Sequence, residues 1–441
     1  MILLCAPVFV SAESGDSSRE NQEPLKISLT QAIDIALSEN PVIKVADREI
    51  EVKKESNREA YAGLFPDVSL TGGYSRTLKK QTVVMDFGGE SQTFQMGIDN
   101  SYNGGFAVSL PVFAPALYKS INLTQTDVDL AVEKSRASKL DMVNQVTKAY
   151  FQLLLSQDSY EVLQQSYRQA EANFNVVNEM YRQGMVSEYD KIRSEVQMRS
   201  LKPSVVSAEN GVRLAKLQLK VLMGLEKDTE FEAEGNLKNY ETGLFANEMT
   251  DRSLSLENNS DLKQIDLNAE MLLLNMKLQK TNFMPTVSAS FNYMYTSLSD
   301  HFRIRDYNWF PYSTAGLTLT IPLFRASNFP KLKRAQIQMW QLEETRLNTE
   351  RLLQMQVASC LNSMSASSEQ VASNKESILQ AERGRLIAQK RYEVGKGTIL
   401  ELNDSEVALT QAQLVYNQSI YDYLVARADL DKVLGNEERI K

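Results

Sequence analysis

The chain is 441 residues long, 43% hydrophobic and 24% charged, with only 19 glycines and 11 prolines, a composition suited to helices rather than to disorder. Its 48 basic and 56 acidic residues leave a formal charge of −8 and no dominant basic patch, which argues against nucleic acid as a partner. The single histidine, His301, rules out a histidine-based triad or a multi-histidine metal site within the chain, and no phosphate-cradling glycine loop occurs, so neither enzyme activity nor a cofactor is expected.

Met1 to Ala12 is a short apolar run ending in Val10-Ser11-Ala12, the form of the h-region and cleavage site of a secretory signal, without the usual basic start. Residues 1–12 are therefore expected to be a truncated-looking signal peptide and 13–27 a polar tether. Cys5 stands too near the start for a lipoprotein cysteine. Cleavage after Ala12 would leave Cys360 as the only cysteine and no disulfide framework. No apolar stretch reaches the length of a transmembrane helix, so an exported chain of this kind is either soluble or crosses lipid as strands.

A first repeat is expected over residues 28–224. Ser28 to Ala32 opens a helix with capping residues, Asn40-Pro41 punctuates it, and helical pattern resumes to about Gly63. After Pro66 the period becomes two: Val68, Leu70, Gly72 and Tyr74 alternate with Ser69, Thr71, Gly73 and Ser75. Strands are predicted at about 67–79 and 102–112, joined by a long polar loop from about Leu78 to Ser101. From Pro111 a helical pattern runs toward Gly184; some 65 helical residues would reach roughly 100 Å. Val143, Val146, Tyr150 and Leu153 mark a coiled-coil seam. A return helix continues to Gly224, and Pro203 is expected to kink or interrupt it. Residues 225–252 form an acidic, mixed linker.

The second repeat, 253–435, restates the first. Helical pattern spans Ser255 to about Phe283, punctuated by Asn258-Asn259-Ser260. Strands are predicted at about 286–297 and 312–323, and the seam residues are Gln354, Val357, Leu361 and Met364. Residues 436–441 are a tail. Pro111, Phe113, Gly184, Ser194-Glu195-Val196 and Gly224 return 211 residues later as Pro322, Phe324, Gly395, Ser405-Glu406-Val407 and Gly435. Asn40 and Pro66 return 219 later as Asn259 and Pro285, so the first loop carries 8 extra residues. A duplication this long is one half-molecule built twice, not a short solenoid period.

Four strands cannot close a barrel. In lipid an open edge leaves costly unpaired backbone groups, so strands that cross a membrane must be shared among chains. Three chains would give twelve strands. A soluble sandwich, or a small sheet capping a helical bundle, satisfies the same alternation.

The chain resembles the TolC-type outer-membrane efflux protein family over about Leu25 to Gly435. The duplication carries the resemblance, together with Pro66 and Pro285, Leu110-Pro111-Val112-Phe113 and Ile321-Pro322-Leu323-Phe324. Tyr181-Arg182-Gln183-Gly184 and Tyr392-Glu393-Val394-Gly395 add to it, as do Leu222-Met223-Gly224 and Val433-Leu434-Gly435. The resemblance implies a mainly α fold with a β-barrel part: a homotrimer whose twelve strands form an outer-membrane β-barrel and whose helices form a periplasmic tunnel. An equatorial belt would come from residues 225–252 and the C-terminal end. It implies the exit duct of a tripartite efflux or secretion system, located in the outer membrane, contacting lipid, and partnered by a periplasmic adaptor and an inner-membrane pump. The competing reading is a soluble periplasmic coiled-coil scaffold or adaptor without channel activity.

Site residues follow from the same resemblance. Glu401 and Asp404, three apart on one helix face, match the inward acidic pair that forms rings at the tunnel entrance. Tyr392 and Asp190 match a hydrogen-bonded latch that holds the coils closed. Gly397 stands where TolC has a second latching arginine, so that latch is in doubt and Gly397 would loosen the turn. The turns at Gly184 and Gly395 are the expected adaptor contacts, with Lys191, Arg193, Lys390, Arg391 and Lys396 nearby. Trp309, Phe310 and Tyr312 fit either an aromatic girdle at a barrel rim or loop packing.

Overall fold

A computed structural model describes residues 25–87, 90–226, 229–243, 255–302 and 307–436. The expected signal peptide (1–12), the expected tether up to residue 24, parts of the 225–252 linker and the tail from 437 lie outside the described residues; the last three residues of the expected 13–27 tether, Leu25–Ile27, are a strand instead.

Strand β1 (Leu25–Ile27) leads into α1 (Leu29–Glu39) through a capping box at Ser28. The Gln31 N–H donates to Ser28 Oγ at 3.3 Å, and the Ser28 N–H donates to Gln31 Oε1 at 2.9 Å, so two otherwise unpaired donors are satisfied. Helix α2 (Pro41–Ala62) starts on a proline, whose fixed φ suits a first helical position. Then come β2 (Asp67–Arg76), β3 (Gln81–Phe87), β4 (Glu90–Met96), β5 (Asn100–Phe113), α3 (Pro115–Arg182, 68 residues) and α4 (Glu188–Leu222). Between the repeats lie β6 (Phe231–Ala233) and a 3-10 turn (Leu237–Gly243). The second repeat comprises α5 (Ser260–Thr281), β7 (Thr286–Ser299), β8 (Phe310–Thr320), α6 (Asn328–Glu393, 66 residues) and α7 (Ile399–Leu434).

Four expectations need correction. The stretch from Leu78 to Ser101 is not only loop: β3 pairs with β4, with Val83 opposite Phe94 and Val84 opposite Thr93, and these β-prone residues favour a ladder. Helix α4 runs through Pro203 uninterrupted. Pro203 and Arg199 are both exposed, so the carbonyl that loses its hydrogen bond stays open to water. The seam on α6 follows Leu353, Val357, Cys360, Met364, Ser367 and Val371; Gln354 is exposed and Leu361 only half-buried. Finally, Phe310 and Tyr312 lie on the polar face of the sheet and not among its apolar side chains, where an aromatic girdle is expected.

That last point follows from register. The sheet is antiparallel in the order β2-β5-β7-β8, so the two repeats meet at β5 and β7. Val68 aligns with Val108 and Phe291, and Leu70 with Phe106 and Tyr293. The intervening rows align Ser69, Ala107, Asn292 and Thr314, then Thr71, Gly105, Met294 and Tyr312. The alternation of all four strands is thus in phase, and one face is apolar while the other is mostly polar. Pro111 is accommodated where the β5–β7 register shifts between Pro111 and Phe113. Every residue of the two outer strands, β2 and β8, is exposed.

The chain forms two compact units. One gathers β1, α1, α3 from Met142, α4, β6, the 3-10 turn and the Ser363–Ala428 part of α6 and α7. Its buried centre includes Val146, Tyr150, Leu153 and Leu154. Strand β1 pairs in parallel with β6, and the Tyr150 hydroxyl donates between the carbonyls of Glu234 (2.7 Å) and Ile27 (3.1 Å), so the linker is bound to the chain's start. The other unit gathers α2, β2 to β5, α3 up to Asp141, α5, β7, β8, α6 up to Asn362 and the end of α7.

Each unit contains the same lock. Asn40, just before α2, donates from Nδ2 to the Leu222 carbonyl at 2.8 Å; Asn259, just before α5, donates to the Val433 carbonyl at 2.7 Å. Two residues later, Gly224 and Gly435 both take φ of +68°. A Cβ on Gly224 would fall 2.9 Å from the Glu39 carbonyl, and one on Gly435 onto the Asn258 carbonyl. The repeated asparagines and glycines thus close each repeat on itself.

Candidate functional site

The expected site residues converge where α3 turns into α4 and α6 into α7. Both turns end a helix in the same way. Gly184 and Gly395 take φ of +73° and +70°, a region glycine enters without steric cost. The Met185 N–H then reaches the Met180 carbonyl at 2.9 Å, and the Lys396 N–H reaches that of Arg391 at 2.8 Å. The return helices restart on a hydroxyl: Ser187 Oγ accepts from the Asp190 N–H at 3.2 Å, and Thr398 Oγ1 from the Glu401 N–H at 3.2 Å.

From this shared frame the turns diverge by one methylene. The Asp190 carboxylate closes a capping box, accepting from Ser187 N–H at 3.3 Å and Ser187 Oγ at 2.7 Å. Its counterpart Glu401 instead faces Arg391, with Nη1 3.6 Å from its carboxylate. Arg391 also donates to the Lys396 carbonyl at 3.3 Å, laying a guanidinium across the turn. Gly397 is what lets the chain come so close, because a Cβ there would meet Arg391 Cβ at 3.0 Å and Tyr392 N at 3.1 Å. The expectation that Gly397 loosens the turn is therefore corrected: it tightens it.

Val177, Ile399 and Leu402 form the buried centre of the tip, with Val186 and Tyr392 packed against them. The Tyr392 hydroxyl is buried and makes no hydrogen bond among the described residues. Burial, and then the charge of Asp190, push its phenol above the ordinary value. The expected latch bond from Tyr392 to Asp190 is not made, because Asp190 is committed to Ser187. Leu402 and Asn403 are buried while Glu401 and Asp404 stay exposed, so the two carboxylates share the outer side of α7. On the first turn, Lys191 lies 5.0 Å above the Tyr181 ring and Arg193 donates to the Tyr189 hydroxyl at 2.8 Å. Lys390 pairs with Glu393 at 2.8 Å within its own helix.

Sequence reasoning missed a pair above the tip. Arg385 on α6 and Glu406 on α7 approach to 3.5 Å beside a cavity of about 450 Å³ also lined by Ser166, Gln169, Thr410 and Gln413. Burial raises the Glu406 carboxyl, partly offset by Arg385. Repetition flagged Glu406 through its copy Glu195, but Arg385 has Phe174 as its counterpart, so nothing in the repeat signalled the pair. Among the described residues, no group of three or more His, Cys, Asp or Glu could hold a metal ion, and no helix is long and apolar enough to cross a membrane.

The sequence profile described as "Outer membrane efflux protein" matches residues 32–225 and 252–436, both repeats almost in full. The chain belongs to the outer membrane efflux protein family. Outer membrane protein TolC of Vibrio cholerae is 20% identical over 440 residues, covering 97% of this chain and 94% of TolC. A probable efflux pump outer membrane protein, TtgC of Pseudomonas putida, is 22% identical and covers 92% of this chain and 83% of its own length. The crystal structure of the Campylobacter jejuni CmeC outer membrane channel superposes with a TM-score of 0.75 at 15% identity, covering 97% of this chain and 94% of CmeC. The family is one of outer-membrane channels rather than enzymes, and that membership places the chain in the outer membrane.

Proposed function

We propose that the chain is the exit duct of a tripartite efflux or secretion system and works as a homotrimer. The sheet carries the argument. Its apolar face runs across four strands, and the outer edges of β2 and β8 are unpaired among the described residues. In lipid such edges demand partners, and edge-to-edge pairing of three copies would close twelve strands. Repeats at 28–224 and 253–435 would then act as six staves of one wall, with the 225–252 segment girdling them. The Gly184 and Gly395 turns would meet a periplasmic adaptor, which links the duct to an inner-membrane pump; nucleic acid has no place in this reading. Glu401 and Asp404 would form acidic rings at the tunnel mouth. Tyr392 would pin the closed tip by packing; acting as a latch would require Asp190 to leave its cap.

Planar-bilayer conductance tests the gate. The double variant Glu401→Ala/Asp404→Ala should lose cation preference and block by multivalent cations; unchanged selectivity removes the acidic rings from the proposal. Extraction tests the duct itself. A monomer released by osmotic shock without detergent would favour the soluble scaffold instead.

A further inference from the structure

The two places where sheet gives way to long helix should be equivalent, and they are not. Between Thr320 and Trp340 the second repeat carries Arg325, Lys331, Lys333 and Arg334 and no acidic residue. The first repeat has Ala114, Ser120, Asn122 and Leu123 at those positions. All four basic side chains are exposed, and none forms an ion pair among the described residues. Lys280, also exposed, ends the neighbouring helix α5, which is tied to α6 by Asn328 donating to the Asn282 carbonyl at 3.3 Å.

The patch adjoins apolar surface of a particular kind. Leu317 and Leu319 on β8 are on the apolar face, and the exposed run continues through Ile321 to Leu323, which is 92% exposed. Phe324 and Phe283 flank Phe329 at centroid distances of 6.3 and 5.5 Å, forming an aromatic cluster at the end of the sheet. Lys333 reaches over Trp340 at 4.9 Å. An apolar face, then aromatics, then basic residues is the order met on leaving a bilayer's hydrocarbon for its headgroups.

Resting on the outer-membrane reading above, we infer that the β8–α6 junction is a binding surface for anionic phospholipid headgroups of the periplasmic leaflet. The β5–α3 junction, which has Lys119 alone over the matching stretch, lacks it. Arg325, Lys331, Lys333 and Arg334 supply the charge, and Leu323 and Phe324 insert among the acyl chains. Clustered lysines and arginines add their attractions for anionic headgroups.

Native mass spectrometry of the full-length chain, with phosphatidylglycerol or phosphatidylethanolamine added to mild detergent, tests the assignment. The wild type should retain phosphatidylglycerol by about tenfold over phosphatidylethanolamine. Arg325→Ala/Lys331→Ala/Lys333→Ala/Arg334→Ala should reduce that preference to about twofold or less, and the milder Lys331→Gln/Arg334→Gln should fall between. Lys119→Ala at the other junction should leave it unchanged. A preference that survives the quadruple change, or is absent in the wild type, overturns the inference. So does displacement of the lipid by millimolar inorganic phosphate, which would identify a phosphate site. Bilayer conductance separates the two readings. A wild type that conducts but shows no lipid preference refutes only this inference, and a wild type that never conducts refutes the duct.

Discussion

Replacing Tyr392 with Phe separates packing from latching at the tip. The Tyr392 ring packs on Val177, Ile399 and Leu402, while its hydroxyl is buried without a hydrogen-bond partner. A buried unpaired polar group costs about 1–3 kcal/mol, and phenylalanine removes it while keeping the ring. Because the side chain is only partly buried, the lower end applies, and Tyr392→Phe should leave the closed tip as stable or more stable by about 1 kcal/mol. A hydroxyl donating to the Asp190 carboxylate would behave oppositely. Losing a hydrogen bond to a charged group costs about 1.5–3 kcal/mol, which is roughly a 10- to 150-fold shift toward the open state. Single-channel recordings in planar bilayers read that ratio directly as the fraction of time open. Tyr392→Ala serves as the positive control, because truncating the ring removes packing worth about 1–3 kcal/mol after discounting full-burial values for exposure. The expected order of open fraction is Phe at or below wild type and both well below Ala. A Phe variant as open as the Ala variant would refute the packing argument and restore the latch.

Two further perturbations test the frame that holds the tip. Alanine at Gly395 or Gly435 pays the left-handed backbone penalty of about 1–2 kcal/mol, but only at Gly435 would the new Cβ run into the backbone of Asn258. The heat-dissociation midpoint on gels should therefore fall further for Gly435→Ala than for Gly395→Ala, and equal midpoints would show that the Asn259–Gly435 lock does not matter. Asp158 is half-buried and accepts from the Leu237 N–H at 3.0 Å, and its partial burial, opposed by that bond, holds its carboxyl above the ordinary value. An acid raised on folding binds more protons in the native state, so its contribution to stability is greatest at low pH and is lost as pH rises toward neutrality. Asp158→Asn keeps an acceptor for Leu237 and should flatten that slope in thermal melts taken from pH 4 to 7; a slope unchanged by the substitution would place its origin elsewhere.

What could be read in the sequence was what is decided locally. Ser28, Pro41, Gly184 and Gly395 act through their own φ and their nearest hydrogen bonds, so their roles were visible without a partner. The two faces of the sheet were legible because side-chain alternation survives any choice of strand neighbour. What failed depended on contacts distant in sequence. Tyr392 could not be told from a latch until Ser187 was seen to occupy Asp190. Phe310 and Tyr312 looked like a girdle until register put them in line with Asn103 and Gly105. The phase of the α3 seam puts Gln354 on the α6 seam, but α6 buries Leu353, Val357 and Cys360 on its own phase.

The duplication also says where function should be sought. Positions that close each repeat, Asn40 with Gly224 and Asn259 with Gly435, are the same in both copies because both must solve the same folding problem. Departures from that sameness are widespread, as in the β3–β4 hairpin, at Pro203 and along the α6 seam, and two of them change charge at the ends of the second repeat. At the turn, lengthening Asp190 to its counterpart Glu401 frees a carboxylate from its cap and turns it toward Arg391, while Asp404 replaces Arg193. At the sheet–helix junction, the uncharged Ala114, Ser120, Asn122 and Leu123 give way to Arg325, Lys331, Lys333 and Arg334. In the proposed ring of six staves this would make every second one special at both ends. Charge would then repeat three times around the mouth and three times around the membrane boundary, which is the symmetry a homotrimer can supply and a uniform wall of six identical staves cannot.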